Sequence, residues 1–280
     1  MRWEDRQGSG NVEDRRGRRM GGVGLPLGGG IGGLVLILAI SALTGTNPLE
    51  LLGGLNAPVS DTGGGAPPAD DTKARFISVV LGDTETTWGR IFSEQGDTYE
   101  APRLVLFSDA TQSGCGLGQS AMGPFYCPAD RQVYLDLSFF QELDSRFGAP
   151  GDFAQAYVVA HEVGHHIQTL TGLSSRVTAA RERASEREGN ALSVRQELQA
   201  DCYAGVWGFF AAQNGLLEAG DVEEGLTAAA AIGDDRLQQQ SQGRVVPESF
   251  THGSSADRVR WFRRGLDTGR VDACNTFGAG

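Results

Sequence analysis

Residues 160–166 read Ala-His-Glu-Val-Gly-His-His, and this segment constrains the fold more than any other part of the chain. In an α-helix, residues four positions apart lie on one face, so His161 and His165 can direct their imidazoles at one point. Two histidines placed in this way, with Glu162 beside them, are typical of a zinc ion that activates water and a carboxylate that accepts the proton. The pattern predicts a helix that carries a catalytic zinc site for hydrolysis, in the first place of a peptide bond.

The surrounding residues predict where this helix begins and ends. A Pro-Gly pair precedes Asp152, which can cap a helix together with Gln155. Apolar residues then recur at helical spacing, and Gly172 is typical of a C-terminal stop. Gly164 lies inside the helix and weakens it by about 1 kcal/mol relative to Ala. We therefore expect this glycine to let another element pack closely against the helix.

A catalytic zinc ion needs three protein ligands and one position open to water. His166 lies on a different face of the helix from the first two histidines and is expected to be a hydrogen-bonded packing residue. One known arrangement has a third histidine six residues after the second, but Thr171 occupies that position here. The third ligand is therefore expected to be a carboxylate from a following helix.

Residues 193–212 have a helical pattern with two acids, Glu197 and Asp201, on one face. The rest of this helix is largely apolar, so both carboxylates are expected to be buried and to need partners. We predict Glu197 as the third zinc ligand and Asp201 as the acceptor for the N–H of a ligand histidine. Asp201, Asp234 and Asp235 are alternative third ligands, and a solvated acidic face is the alternative without a metal.

Together these residues resemble a zinc metallopeptidase of the gluzincin type, and more closely the bacterial, membrane-anchored neutral zinc metallopeptidases. The resemblance spans nearly the whole chain, and its further matching segments are residues 1–4, 11–16, 123–128, 134–137, 197–205, 232–235 and 251–255, with Arg258, Trp261 and Phe262. It implies an α+β, zincin-like fold that is mostly helical with a small sheet. It also implies one catalytic Zn²⁺ ion and a peptide or protein substrate.

The resemblance also implies roles for two residues near the C-terminus. In related enzymes, a histidine followed by small residues and an arginine stabilises the oxyanion or carries a proton, which implies this role for His252. Arg258 would then support Glu197 or Asp201. The alternatives are a histidine that only packs its loop and an arginine in a surface ion pair.

Residues 104–107 and 132–137 have strand character, because apolar and polar residues alternate in the second segment. In gluzincins the strand before the zinc helix forms an edge of the cleft. By that resemblance, Tyr134, Leu135 and Asp136 would offer backbone hydrogen bonds to an extended peptide. An internal strand is equally compatible with the pattern. The segments expected to be helical after the zinc helix are residues 175–187, 193–212, 221–234 and 255–264.

The N-terminal part of the chain does not have the composition of a globular domain. Residues 1–22 are rich in arginine, residues 23–43 are uncharged and long enough to cross a bilayer of about 30 Å, and residues 44–73 are rich in Gly, Pro and Ala. These patterns predict a cytoplasmic tail, a transmembrane helix and a flexible linker before a metallopeptidase domain at residues 74–280. The arginines place that domain outside the bacterial cytoplasmic membrane. A cleaved signal peptide is the alternative to the anchor.

Four cysteines follow the predicted anchor, and an even number in an exported domain favours two disulfides. Local spacing favours the pair Cys115–Cys127, which leaves Cys202–Cys274. Reduced cysteines that pack as small apolar residues are the alternative. The net charge of −11 argues against nucleic acid as a partner. No pattern predicts an oligomeric state.

These interpretations predict a zinc metallopeptidase that hydrolyses peptide bonds through a zinc-activated water, with Glu162 as the general base. A non-proteolytic protein that keeps the zinc fold as a scaffold is one alternative. A zinc amidase that acts on cell-wall peptides is the other.

Overall fold

The computed structural model describes residues 1–17 and 64–278. The strands of these residues are β1 (Val12–Asp14), β2 (Arg103–Phe107), β3 (Ala110–Ser113), β4 (Gly116–Gln119), β5 (Phe125–Cys127) and β6 (Gln132–Asp136). Their helices are α1 (Thr72–Glu94), α2 (Ser138–Ser145), α3 (Asp152–Leu170), α4 (Leu173–Arg181), α5 (Glu186–Gln213), α6 (Asp221–Ala231), α7 (Asp234–Gln242) and α8 (Ser255–Thr268).

A four-stranded sheet in the order β1-β2-β6-β5 precedes the helices that carry the predicted site. β1 and β6 run parallel to β2, and β5 runs antiparallel to β6. Because side chains alternate between the two faces of a strand, Leu104 and Leu106 enter the main helical core, whereas Val105 and Phe107 form a second cluster with Tyr134. The strands predicted at residues 104–107 and 132–137 correspond to β2 and β6. The sheet is small, as expected.

The predicted zinc helix is α3, but its first turn is stabilised differently from the prediction. The residue before the helix is Gly151, and no side chain caps it. The carboxylate of Asp152 instead accepts a hydrogen bond from the amino group of Met1 at 2.9 Å, and Glu224 accepts the N–H of Phe153 at 3.1 Å. The predicted capping box is wrong, because residues distant in the chain satisfy this helix end.

The second predicted helix, α5, begins earlier than its sequence pattern indicated. Ser185 and Glu188 form a reciprocal capping box at its N-terminus, so the expected start at Ser193 is wrong. α5 crosses α3 at Gly164, where an added Cβ would lie 2.9 Å from the carbonyl oxygen and 3.0 Å from the Cα of Ala200. The expectation that Gly164 permits close packing is confirmed. This contact brings the acidic face of α5 against the predicted zinc helix.

Both predicted disulfides are present. Cys115 is bonded to Cys127 and closes the segment that contains β4 and β5. Cys202 is bonded to Cys274 and ties α5 to the chain that follows α8. The first bond lies beside the sheet, and the second lies next to Asp201 on the acidic face of α5.

The structure overturns the predicted placement of the N-terminal tail. Residues 1–17 belong to the same compact unit as residues 65–278, and Val12 of β1 pairs with Leu104 of β2. The amino group of Met1 lies 2.9 Å from Asp152 and 3.3 Å from Asp221. A strand of the sheet cannot lie across a membrane from the sheet. The prediction of a cytoplasmic tail and an extracytoplasmic domain is therefore wrong.

The predicted anchor at residues 23–43 lies outside the described residues, as does most of the predicted linker. Among residues 1–17 and 64–278, no helix combines the length and the apolar character needed to cross a membrane. We therefore correct the fold to a mostly helical α+β domain with a small sheet. The transmembrane helix, the single-pass membrane localisation and the membrane as a partner are withdrawn.

Substitution of Val12 by Asp tests whether β1 is part of the domain. The Val12 side chain is 7% exposed, so Val12→Asp replaces a buried apolar group with an unpaired charge. We expect the free energy of unfolding to fall by about 3 kcal/mol or more in urea denaturation. Gln7→Asp is the matched control, because it adds the same charge at an exposed position of the same segment and should change stability by less than about 0.5 kcal/mol. Equal stability of the two variants would contradict the placement of β1.

Candidate metal centre

Three predicted ligands meet where α3 crosses α5. The Nε2 atom of His161 lies 3.2 Å from Oε2 of Glu197, and Nε2 of His165 lies 3.4 Å from Oε1 of the same carboxylate. One ligand atom from each of the three residues lies within 4.8 Å of the other two. The structure therefore brings together the two histidines and the glutamate that the sequence singled out.

The chemistry of these donors fits a catalytic zinc ion. Two imidazole nitrogens and one carboxylate, beside an open cleft, are a typical set of protein ligands for hydrolytic zinc. The Nδ1 atom of each of these histidines lies within hydrogen-bond distance of a side-chain oxygen. Nδ1 of His161 lies 2.8 Å from Oδ1 of Asp201, and Nδ1 of His165 lies 3.0 Å from Oε1 of Gln168. Because these oxygens accept the Nδ1 protons, both Nε2 atoms are oriented toward the same point.

Asp201 joins the His161 imidazole to α8. This aspartate is fully buried, and its two oxygens accept hydrogen bonds from Nη2 and Nε of Arg258 at 2.9 and 3.0 Å. Tyr157 donates a further hydrogen bond to it at 2.5 Å. Burial raises the pKa of Asp201, but Arg258 and His161 outweigh burial and lower it, so the carboxylate stays ionised. Asp201 is not among the three residues whose ligand atoms lie close together.

The charges at the three converging side chains compensate one another. Burial alone lowers the pKa of His161, but Asp201 outweighs it and raises that pKa to about 10. Burial also raises the pKa of Glu197, but the two histidines hold it well below its usual range. A metal ion that binds here displaces the protons on Nε2, so binding is expected to weaken at low pH.

Glu162 is the residue predicted to act as the general base. Its side chain lines the same cleft as the two histidines and Glu197, and it is 7% exposed. Burial raises the pKa of this carboxyl group. In the described part of the chain no group donates a hydrogen bond to it, so its oxygens are available to a water molecule in the cleft.

His252 lies in the loop before α8, and Asp234 holds this loop. Oδ2 of Asp234 accepts the backbone N–H groups of Thr251, His252 and Gly253 at 2.7, 2.6 and 3.0 Å. Its Oδ1 lies 3.1 Å from Nδ1 of His252, and this hydrogen bond raises the pKa of the imidazole. The ring is about half exposed and lines the same cleft as the predicted ligands.

Asp234 and Asp235, which were predicted as alternative third ligands, make other contacts. Asp234 supports the His252 loop, and Asp235 accepts hydrogen bonds from the backbone N–H and the hydroxyl of Ser255 at 2.7 and 2.8 Å. Sequence reasoning missed the role of Asp234, because its contacts span 17 to 19 residues of the chain. It also missed Tyr157 and Gln168. Helical spacing could have indicated both, since they lie four residues before His161 and three after His165.

A second group of acids, Asp152, Asp221 and Glu224, also has ligand atoms within 4.8 Å of one another. The amino group of Met1 lies against the first two of these carboxylates, at 2.9 and 3.3 Å. The ammonium group therefore supplies positive charge to this cluster, and these acids stabilise the start of α3.

A cleft with a volume of about 950 Å³ opens above the predicted ligands. Residues 120–126 line it together with the side chains of Phe139 and Phe147. The polar side chains of Ser174, Ser193 and Gln196 also line it. The lining of the cleft therefore combines apolar and polar side chains.

The strand predicted to border the cleft does not form its edge. β6 lies between β2 and β5, so Tyr134, Leu135 and Asp136 belong to an internal strand, and the prediction of a substrate edge at these residues is wrong. The edge strand next to β6 is β5, whose residues Phe125 and Tyr126 line the cleft. β5 was missed because three residues between prolines are too short for an alternating pattern.

His166 packs against β5, as expected of a packing residue. It is 1% exposed, its Nε2 lies 2.6 Å from the carbonyl oxygen of Glu100, and its Nδ1 lies 3.1 Å from the hydroxyl of Tyr126. These contacts connect the zinc helix to β5. They also turn the imidazole of His166 away from the three predicted ligands.

Comparison with known proteins relates the whole chain to one family. The sequence profile of the family described as "putative neutral zinc metallopeptidase" matches residues 1–277. The uncharacterized protein YpfJ of Escherichia coli is 53% identical over 284 residues, which cover 99% of each chain. The uncharacterized protein Rv2575 of Mycobacterium tuberculosis is 44% identical over 216 residues, which cover 73% of this chain and 72% of that protein. No solved structure matches the chain. The family profile and the identity to YpfJ, which both extend over nearly the whole chain, show that the protein belongs to this zinc metallopeptidase family.

Proposed function

We propose that the protein hydrolyses peptide bonds, with His161, His165 and Glu197 as the ligands of one zinc ion and Glu162 as the general base. The observation that carries this proposal is the convergence of the two Nε2 atoms and the Glu197 carboxylate on the floor of an open cleft, with Glu162 beside them. A structural zinc site is closed by four protein ligands and needs no base. The open arrangement therefore favours catalysis over the scaffold alternative.

The mechanism follows from the positions of the side chains. A bound zinc ion supplies Lewis acidity, which lowers the pKa of a water molecule and polarises the substrate carbonyl. Glu162 takes a proton from the attacking water and delivers it to the leaving amine. The raised pKa of Glu162 suits this double role, because a more basic carboxylate accepts the proton more readily. Asp201 and Gln168 hold the ligand imidazoles in place.

His252 is proposed to stabilise the oxyanion when its ring is protonated. Its Nδ1 proton is directed at Asp234, so only the imidazolium form also carries a proton on Nε2. That proton can be donated to the substrate oxygen from the wall of the cleft. The hydrogen bond to Asp234 favours the protonated form, because it raises the pKa of His252.

An extended peptide is proposed to lie along β5. β5 is the outer strand of the sheet, and main-chain hydrogen bonds to an edge strand are a common way to bind an extended peptide. The strand is held by the disulfide at Cys127 and by the contact between Tyr126 and His166. The edge is therefore fixed in place before substrate binds, which lowers the entropic cost of binding.

Glu162→Gln separates catalysis from metal binding. The variant keeps the shape of the side chain but loses the basic oxygen, so we expect one bound zinc ion per chain and a decrease in kcat of about 100-fold or more. Zinc content after dialysis and hydrolysis of a labelled unfolded protein are the two measurements. A Glu162→Gln protein with wild-type turnover would contradict the assignment of the base.

Glu197→Ala tests the third ligand. It should weaken zinc binding by more than about 100-fold, because a lost ligand costs more than the 10- to 100-fold typical of a lost supporting contact. Glu186→Ala is the matched control, since this exposed glutamate lies at the start of the same helix, and it should bind zinc normally. Zinc affinity is measured by competition with a chromophoric chelator. Full affinity in Glu197→Ala together with loss in Asp201→Ala would show that the wrong acid was assigned.

Asp234→Asn should change the pH dependence of turnover. Because Asp234 raises the pKa of His252, its neutralisation lowers that pKa, and the imidazolium is lost at a lower pH. The alkaline limb of kcat/KM is therefore expected to shift to lower pH, whereas the activity at acidic pH should change less. His252→Asn should remove this limb and lower kcat by about 100-fold. An unchanged alkaline limb in both variants would exclude His252 from the reaction.

A further inference from the structure

We infer that Gln168 and Gln199 are positioning residues that form a directed hydrogen-bond relay from the zinc ligand His165 to the C-terminal segment held by the Cys202–Cys274 disulfide. The relay rests on the proposed zinc site, since it determines how His165 is presented to the metal. The relay to His165 consists of neutral amides, whereas His161 is supported by the buried ion pair between Asp201 and Arg258. The two histidines of the metal centre are thus held by different chemistry.

The first link runs along α3. Gln168 follows His165 by three residues, so both side chains lie on one face, and Oε1 of Gln168 is 3.0 Å from Nδ1 of His165. A histidine that binds a metal through Nε2 carries its proton on Nδ1, and within an amide group only the oxygen can accept that proton. The amide of Gln168 must therefore turn its oxygen to the imidazole and its NH₂ group away from it.

The second link crosses from α3 to α5. The NH₂ group of Gln168 donates one hydrogen bond to the carbonyl oxygen of Gln196 at 2.7 Å and another to Oε1 of Gln199 at 3.1 Å. Gln168 is fully buried, so rotation of its amide would break both hydrogen bonds to α5 and turn its oxygen toward the oxygens of Gln196 and Gln199. The contacts of Gln168 to α5 thus reinforce the orientation that His165 requires.

The third link ends at an acceptor that is covalently held. Nε2 of Gln199 donates to the carbonyl oxygen of Cys274 at 3.0 Å, and Cys274 is bonded to Cys202 on α5. Thr276 adds a hydrogen bond to the carbonyl oxygen of Arg195 at 2.6 Å. The chain after α8 is therefore tied to α5 on both sides of the relay, and the last carbonyl oxygen has little freedom to move.

The relay that supports His165 is neutral, whereas the support of His161 is charged. Asp201 offers His161 an anionic acceptor, and Arg258 balances that charge. Gln168 and Gln199 are neutral, so the relay orients His165 without adding a further buried negative charge near Glu197. Loss of Gln168 leaves the Nδ1–H of His165 without a partner and lets the ring rotate. Loss of such a supporting contact typically lowers metal affinity by about 10- to 100-fold.

The relay is tested by zinc affinity, measured by chelator competition in the full chain, with thermal unfolding of the metal-free protein recorded beside it. Gln168→Leu removes the acceptor for His165 and should weaken zinc binding by about 10- to 100-fold. Gln168→Glu restores an oxygen acceptor for the imidazole but turns its second oxygen toward the oxygens of Gln196 and Gln199, so it should recover only part of that affinity. Gln199→Leu leaves the first link in place and should give a smaller loss than Gln168→Leu.

Phe76→Leu is the control for general destabilisation. Phe76 is buried and packs against Trp3, so its substitution should lower the unfolding temperature of the metal-free protein without changing its affinity for zinc. The relay is overturned if Gln168→Leu binds zinc as tightly as this control, or if Gln168→Glu recovers nothing. The proposed metal site itself fails if His161→Ala keeps wild-type zinc affinity. The two failures are therefore distinguishable in one series of measurements.

Discussion

The close approach of α3 and α5 is the contact on which the rest of the site depends. At Gly164 an added Cβ would lie within 3.0 Å of backbone atoms of Ala200, so no side chain fits between the two helices. Because the backbones approach this closely, the short side chain of Glu197 on α5 reaches the Nε2 atoms of both His161 and His165 on α3. A methyl group at the glycine would push α5 outward and separate the carboxylate from the imidazoles. The distance between the two helices thus controls the geometry of the candidate metal centre.

Buried charge is balanced in two places along α3. In its middle, Asp201 is fully buried and is balanced by Arg258, whose pKa is raised well above its usual value, because the attraction of Asp201 outweighs the effect of burial. An unpaired buried carboxylate would be strongly unfavourable, so these two residues depend on each other. At its start, Asp152 and Asp221 are balanced by the amino group of Met1. The N-terminal segment therefore supports the same helix that carries the predicted zinc ligands.

Features that depend on helical spacing could be predicted from the sequence, whereas those that depend on distant contacts could not. The spacing of the histidines is a local property of one helix, and Glu197 was predicted from its position on an apolar helix. The contact between Asp234 and the His252 loop joins two separate segments and leaves no local pattern. The arginine-rich tail was misread because its composition resembles the flank of a membrane segment. In the structure Arg16 forms ion pairs within the domain, with Asp14 at 2.7 Å and Asp71 at 2.8 Å.

The most direct test of the proposed metal centre is the position of zinc in a crystal of the protein grown with the metal, located by anomalous scattering at the zinc absorption edge. We expect one strong peak at about 2.0–2.2 Å from Nε2 of His161, Nε2 of His165 and a carboxylate oxygen of Glu197. Glu162 should lie beside this peak without binding it directly. A peak at Asp152, Asp221 and Glu224 instead, or zinc bound to the histidines without Glu197, would contradict the proposed centre.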